Sequence, residues 1–346
     1  MGFSIRKTLP SHSHVKDKLP LNSYLIQKIE QDREEIKKIL RGEDQRKLLI
    51  IGPCSAWPLD SVVEYAKWLK PLSDRVGDKI KVVVRTYIQK PRTTVGWQGS
   101  LVQPDPFSDP DAEEGIFKCR QMMIDVIQAG LPIADEILFP RSESYFRDLL
   151  SWAAVGARST ENQEHRILAS MLEMPIGMKN PTSGNVKIGV NSVLAAQTNN
   201  YLAIKGEWVE TSGNPYAHLV LRGGSGKPNY HLCKLQKALK YFQEHQLQNP
   251  TVIVDASHDN CLGEDGKKYP ENQIKVIEDV LTSMQEDPNL TPLVKGFMVE
   301  SFLHHGCQKI NNGTKPEEVI PGLSITDPCL GTDDTEKLIV QIYENL

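Results

Sequence analysis

No apolar run in this chain approaches the roughly 20 residues needed to cross a bilayer as a helix. The first residues, MGFSIRKTLPSHSHVKDKLPLNSY, lack the apolar centre of a secretory signal. Arg6 stands where a myristoylation signal needs Ser or Thr. Six cysteines (54, 119, 233, 261, 307, 329) show no short paired spacing, so they form neither a disulfide framework nor a zinc finger. Charge of one sign is not in excess: 40 Lys and Arg stand against 44 Asp and Glu, a formal net charge of -4. That balance gives no reason to expect nucleic acid or an anionic membrane as partner. No GxGxxG follows the first apolar run, which removes the main support for a dinucleotide-binding fold. These absences leave a cytoplasmic globular protein with reduced thiols as the expectation, and 346 residues suffice for one large α/β barrel or two smaller domains.

A rhythm is present instead. Apolar runs recur at 48–51, 80–84, 131–134, 153–157, 174–178, 218–221, 251–254 and 294–299. Helix-compatible stretches lie between them, at 62–72, 117–129, 144–152, 163–172, 232–245 and 272–284. Near-continuous apolar strands alternating with helices indicate a parallel sheet covered on both faces. Eight strands favour a closed (β/α)8 barrel, the TIM barrel, over an open sheet. Residues 1–45 precede this pattern: a polar, proline-containing arm, and then 24–40, whose apolar residues Leu25, Ile29, Ile36 and Leu40 suit a surface helix. The arm is expected to pack on a neighbouring subunit or to be disordered. The catalytic barrel is expected over 46–346.

Each apolar run hands over to a residue of chemical use: Cys54, Arg85, Glu136, Arg158, Lys179, Arg222, His258 and Glu300. In a barrel these gather at the C-terminal rim, where such enzymes act. Cys54, His258, Glu300 and the downstream Asp327 make a donor set for a divalent transition ion with a position left open. A lone cysteine is more often packing than ligand, and His258 alone could be a satisfied polar residue. Together with two carboxylates they read as a metal site. Arg85, Lys90, Arg92, Arg158, Lys179 and Arg222 would crowd one cleft with cations, and so many suggest more than one anionic group in the substrates. KPRTTVGW (90–97) adds hydroxyl and backbone donors, and LRGG (221–224) allows close backbone approach.

GPCS (52–55), KPRTTVGW (90–97), GARSTENQ (156–163), GMKN (177–180), LRGG (221–224), DASH (255–258), VES (299–301) and SITD (324–327) occur in order and at similar spacing to the microbial, aromatic-amino-acid-regulated 3-deoxy-D-arabino-heptulosonate 7-phosphate (DAHP) synthases of type I. The chain resembles that family over about residues 4–346. The resemblance implies a (β/α)8 barrel with an N-terminal extension, in homodimers or homotetramers. It implies a metal-dependent condensation of phosphoenolpyruvate with D-erythrose 4-phosphate, releasing phosphate and opening the shikimate route to aromatic amino acids. Carried across, Cys54, His258, Glu300 and Asp327 hold the ion, which could be Mn2+, Fe2+, Co2+ or Zn2+. Arg85, Lys90, Arg158, Lys179 and Arg222 hold phosphoenolpyruvate, with backbone help near Ala157. Arg92 and Thr93 cradle the sugar phosphate. Glu136 matches a site carboxylate that helps position water or phosphate, and Lys90 is a candidate proton donor to the new alkoxide.

The chain also departs from its relatives. Ala56, Trp57 and Pro58 replace the usual Ile-His-Asp after GPCS, and both SLVQPDPFSDPD (100–111) and DEILFPRSES (135–144) differ near the cleft. Inhibitable relatives bind an aromatic amino acid between the arm, a loop ahead of the fifth strand and a hairpin ahead of the sixth. Glu173 stands near a place where a small serine is common. GFSIRKTLP lacks the acidic residues usual in the arm, and the hairpin region 203–214 is shorter. Weak or absent inhibition by Phe, Tyr and Trp is expected. Three rival functions fit the sequence less well. A synthase using another aldose phosphate is disfavoured by KPRTT. A Schiff-base aldolase using Lys179 would need neither a thiolate metal site nor so many cations. A silent regulatory subunit would not keep the whole residue set.

Overall fold

The computed structural model describes residues 2, 4–91, 96–204, 206–311 and 313–346, and leaves the side chains of Arg141 and Glu143 aside. Eight parallel strands close a ring: β1 (Lys47–Gly52), β2 (Ile80–Arg85), β3 (Ile133–Ile137), β4 (Trp152–Val155), β5 (Ile176–Lys179), β8 (Ala217–Leu221), β9 (Val252–Asp255) and β10 (Val294–Glu300). The last strand pairs with the first, Leu48 opposite Gly296 and Gly52 opposite Glu300. Every apolar run read from the sequence carries one of these strands. They are buried along almost their whole length, which is what helices outside and side chains inside impose on a barrel strand.

The outer helices are α3 (Leu59–Arg75), α4 (Ala112–Gln128), α5 (Gln163–Met171), α6 (Val186–Gln197), α7 (Leu232–Glu244), α8 (Asn272–Glu286) and α9 (Thr332–Asn345). Several start where the side-chain oxygen of a capping residue meets free backbone N–H groups, as Asp111 does for Glu113 and Glu114, and Asn162 for Glu164 and His165. The expected helix at 144–152 does not form. A short 3-10 turn (Pro140–Tyr145) stands there instead, followed by further turns. The carbonyls that a helix would use are taken by two arginines: Arg120 donates to Tyr145 O, and Arg33 to Arg147 O and Leu150 O. A hairpin, β6 (Tyr201–Ile204) with β7 (Glu207–Glu210), lies outside the ring, with the Tyr201 and Trp208 rings stacked on its exposed face.

The front of the chain packs on its own barrel. It contains a short helix, α1 (His12–Lys18), where an extended segment was expected. Val15 is fully buried, Tyr145 donates its hydroxyl to Pro10 O, and Arg120 donates to Leu19 O. Helix α2 (Ser23–Arg41) starts on the Asn22 cap and stops at Gly42, whose φ of 78° closes it in the left-handed conformation. It is more than a surface helix. Ile36, Ile39 and Leu40 join Leu48, Ile50, Val83, Ala134, Trp152, Val220, Ile253 and Met298 in the interior cluster of the barrel. The helix therefore plugs the end opposite the rim, each of those three side chains contributing about 2 kcal/mol by burial. Within the plug, Trp152 Nε1 donates to His218 Nε2 at 3.1 Å. Burial lowers the His218 pKa to about 4, so the ring is neutral and its Nδ1–H donates to Tyr216 O. No helix among the described residues is long and apolar enough to cross a membrane.

Candidate active site

Strand ends place the functional side chains. Cys54 lies two residues past β1, Arg85 and Lys179 are the last residues of β2 and β5, and Glu300 is the last of β10. His258 opens a single 3-10 turn three residues past β9, with φ 55°. Asp327 is in the loop between β10 and α9. Cys54, Glu300 and Asp327 come together, with one ligand atom from each lying within 4.8 Å of the others. A tetrahedral sphere with bonds of about 2.0–2.3 Å asks for donors somewhat closer than this, a contraction that small side-chain rotations supply. His258 stands beside the group, Nε2 at 3.9 Å from Glu300 Oε1. Its Nδ1 is 2.9 Å from Asp255 Oδ2, but the alignment is poor and both atoms lack a good hydrogen bond.

The donor set fits a divalent ion. Burial pushes the Cys54 thiol up to about 11, Glu300 adding to this and Lys90 opposing it. A cation at that point would reverse the balance, since a metal-bound thiol is deprotonated. Burial also raises Glu300, but the neighbouring Arg85 and Lys90 charges hold the carboxyl below its usual range. Burial keeps His258 well below an ordinary imidazole, and Arg222 and Lys179 act in the same direction, so the ring is the neutral form a metal requires. Its Nδ1 faces the Asp255 carboxylate, which leaves Nε2 for the ion, the usual outer support of a ligating histidine.

The cations form a second layer. Fully buried Arg85 donates Nη2 to Glu300 Oε1 at 3.0 Å and lies 4.0 Å above the Tyr87 ring, while its Nη1 has no hydrogen-bond partner among the described residues. Lys90 reaches back to Cys54, with Nζ 2.7 Å from Sγ and 3.0 Å from the carbonyl oxygen. Burial lowers the Lys90 pKa, but Cys54, Glu300 and Asp327 more than offset it, and the ammonium stays charged. Lys179 donates to Glu136 Oε2 at 2.6 Å. Gly156 makes room for that carboxylate, since a Cβ there would meet Glu136 Oε1 at 2.6 Å. Arg222 is half-buried and paired with Asp259 at 3.3 Å, beside the His258 turn. Ala157 is half-buried and Arg158 exposed in the loop after β4. Arg92 and Thr93 lie outside the described residues.

Several participants escaped the sequence reading. Gln273 of α8 is fully buried and clamps the Glu300 backbone, donating to its carbonyl at 2.9 Å and accepting from its N–H at 2.8 Å. Ser257 donates to Glu300 Oε2. Asn180 accepts from the Arg222 N–H and donates to Gly223 O. Asp135 accepts from the Ile88 N–H, fixing the strand exit that leads to Lys90. Tyr87 lies under Arg85 and within 5.2 Å of Lys179. Ser257 and Asp255 sit inside DASH and Asn180 inside GMKN, so motif context was available for them. Gln273 is one polar residue on a helix and carries no local signal.

The sequence profile of the DAHP synthetase I family matches residues 25–340. A protein from Escherichia coli O6:H1 named phospho-2-dehydro-3-deoxyheptonate aldolase, Trp-sensitive, is 39% identical over 328 residues, covering 93% of this chain and 90% of the relative. The phospho-2-dehydro-3-deoxyheptonate aldolase of Corynebacterium glutamicum is 36% identical over 346 residues, covering 96% and 90%. A solved structure of phospho-2-dehydro-3-deoxyheptonate aldolase from Francisella tularensis SCHU S4 superposes with a TM-score of 0.91 at 30% identity, covering 99% of this chain and 98% of that one. The chain belongs to the DAHP synthetase I family.

Proposed function

We propose that the cluster at the rim is the active centre of a 3-deoxy-7-phosphoheptulonate synthase, the transferase activity of the family, with residues 1–45 as a supporting arm and helix and 46–346 as the catalytic barrel. The substrates are phosphoenolpyruvate and erythrose 4-phosphate, and the enzyme depends on a divalent metal. One observation carries the residue assignment: a thiol and two carboxylates meet within 4.8 Å directly beside buried Arg85. Cys54, Glu300, Asp327 and the neighbouring His258 would hold the ion. When bound, it supplies Lewis acidity toward the aldehyde oxygen of the sugar phosphate.

The protein's own residues align and neutralise. Arg85 Nη1 is a buried donor without a partner among the described residues, suited to an oxygen of phosphoenolpyruvate. Lys179, Arg222 and Arg158 complete the binding of that substrate, with the backbone near Ala157, while Arg92 and Thr93 take the sugar phosphate. C3 of phosphoenolpyruvate forms the bond to the aldehyde carbon, water adds at C2, and phosphate leaves by C–O cleavage. Glu136, buried and paired with Lys179, is the carboxylate that would orient that water. Lys90 carries a proton within reach of the alkoxide that forms. A homodimer or homotetramer is part of this reading.

The test is phosphate release from the two substrates together. It should require both, stop when a chelator strips the protein, and return on adding Mn2+. Release with a five-carbon aldose phosphate in place of the tetrose would favour the rival synthase reading, and release that ignores the chelator would refute the metal assignment. Regulation is a separate expectation. Glu173 is exposed and the hairpin pairs only four residues on each strand, from Tyr201 opposite Glu210 to Ile204 opposite Glu207, which supports weak or absent inhibition. Sub-millimolar tryptophan, phenylalanine or tyrosine should leave the initial rate within about twofold of the control, a difference worth under about 0.5 kcal/mol. Half-inhibition by any of the three would contradict this.

A further inference from the structure

Lys268 plays no part in the scheme above, yet its Nζ contacts Asp327 Oδ2 directly. Asp327 contributes one of the three clustered ligand atoms, so an ammonium stands against the donor set itself. The contact is presented by a built loop. Leu262 and Lys268 form an antiparallel bridge, Gly263 N–H donates to Lys267 O at 2.8 Å, and Gly266 N–H to Gly263 O at 2.9 Å. Tyr269 ties the turn by donating its hydroxyl to Asp265 at 3.0 Å and its N–H to Cys261 O at 3.3 Å. Asn272, at the start of α8, donates to the same carbonyl of Cys261. The turn therefore hangs between the His258 segment and the helix that clamps Glu300.

We propose that Lys268 is a tethered counter-cation for the metal ligands, holding Asp327 in the metal-free protein and yielding it to the incoming ion. This rests on the metal reading of Cys54, His258, Glu300 and Asp327. The physical reason is charge. The Glu300 and Asp327 carboxylates repel one another at this separation, and two cations relieve them. Arg85 answers Glu300 and Lys268 answers Asp327. A divalent ion and the Lys268 ammonium compete for the negative charge of Asp327, and the doubly charged ion displaces Lys268. A lysine suits that role, being a compact, strongly hydrated charge on a flexible stem. The Lys268 side chain is 24% exposed and the Asp327 side chain 37%, so the released ammonium has water to turn into. The consequence is a metal affinity set below what the four ligands alone would give, together with a donor set that stays assembled without the ion.

The experiment compares the wild type with Lys268→Met, Lys268→Gln and Lys268→Arg. Free Mn2+ is titrated into chelator-stripped protein and followed by electron paramagnetic resonance. Thermal unfolding is recorded with and without Mn2+. The two neutral variants should bind Mn2+ about tenfold tighter. Their metal-free melting temperature should fall, while the Mn2+-loaded forms melt with the wild type. Lys268→Arg should stay near the wild type in both readouts. Unchanged or weaker Mn2+ binding in the neutral variants, or an unchanged metal-free melting temperature, overturns the proposal while leaving the metal site standing. A wild type that binds no Mn2+ takes both readings down.

Discussion

Glu300→Ala is expected to remove turnover and a large part of the protein's stability in one step. Glu300 is fully buried, accepts from Arg85 and Ser257, and lies beside His258. Deleting its carboxylate strands the Arg85 guanidinium in the interior with a second unpaired nitrogen. Breaking a buried ion pair from one side costs about 3–5 kcal/mol. In a domain of this size that corresponds to a fall in melting temperature of about 10 °C. The ion loses a ligand as well, so turnover should drop by about three orders of magnitude or more, since the Lewis-acid contribution is worth several kcal/mol. Glu300→Gln separates the two effects. The amide oxygen still accepts from Arg85, so most of the stability should survive, while metal binding and turnover should not. Melting curves, Mn2+ titration and phosphate release on both variants decide it. An alanine variant that melts with the wild type would mean Arg85 finds another partner, and a glutamine variant with wild-type turnover would remove Glu300 from the metal site.

Lys90→Ala is expected to lose about two to four orders of magnitude in turnover while phosphoenolpyruvate still binds. The residue sits between two tasks. Its ammonium lies 2.7 Å from Cys54 Sγ, so it sees the same point as the ion, and the surrounding acidic groups keep it protonated. A protonated amine at that point can meet the alkoxide that forms as the new C–C bond closes. Phosphoenolpyruvate is held by several other cations, Arg85 and Lys179 among them, so removing one should weaken binding only modestly. Equilibrium binding of phosphoenolpyruvate together with single-turnover phosphate release reads the two apart. Near-normal turnover would refute the proton-donor role. Loss of binding in step with turnover would make Lys90 a substrate contact alone.

The barrel was legible in the sequence because its strands are buried on both faces. A run such as KLLIIG or VKGFMVE has no polar side to hide, so eight of them stand out in a chain with few other apolar stretches. The rim was legible for a related reason: where a strand leaves the core, a charged residue becomes affordable, and Arg85, Lys179 and Glu300 each end one. Distance effects were not legible. Gln273 clamps Glu300 from 27 residues away, and Arg33 disarms a helix at 147–150 from more than a hundred. Neither leaves a mark in local composition. The plugging role of α2 was hidden too, because periodicity identifies an apolar stripe but not whether it meets a neighbouring helix or the open end of a barrel.

Ring closure through Gly52 and Glu300 has a consequence for synthesis. Cys54 leaves the ribosome early and Glu300 and Asp327 near the end, and the strand that carries Glu300 is also the one that shuts the ring. A nascent chain has the thiol long before it has the acids, and the loop to be closed spans most of the protein, a slow and entropically costly step. On the proposed metal reading, capture of the ion is therefore coupled to synthesis of the last barrel strand. A copy without that strand holds a cysteine and no chelate, and a divalent ion would meet a competent site only when the last wall is in place.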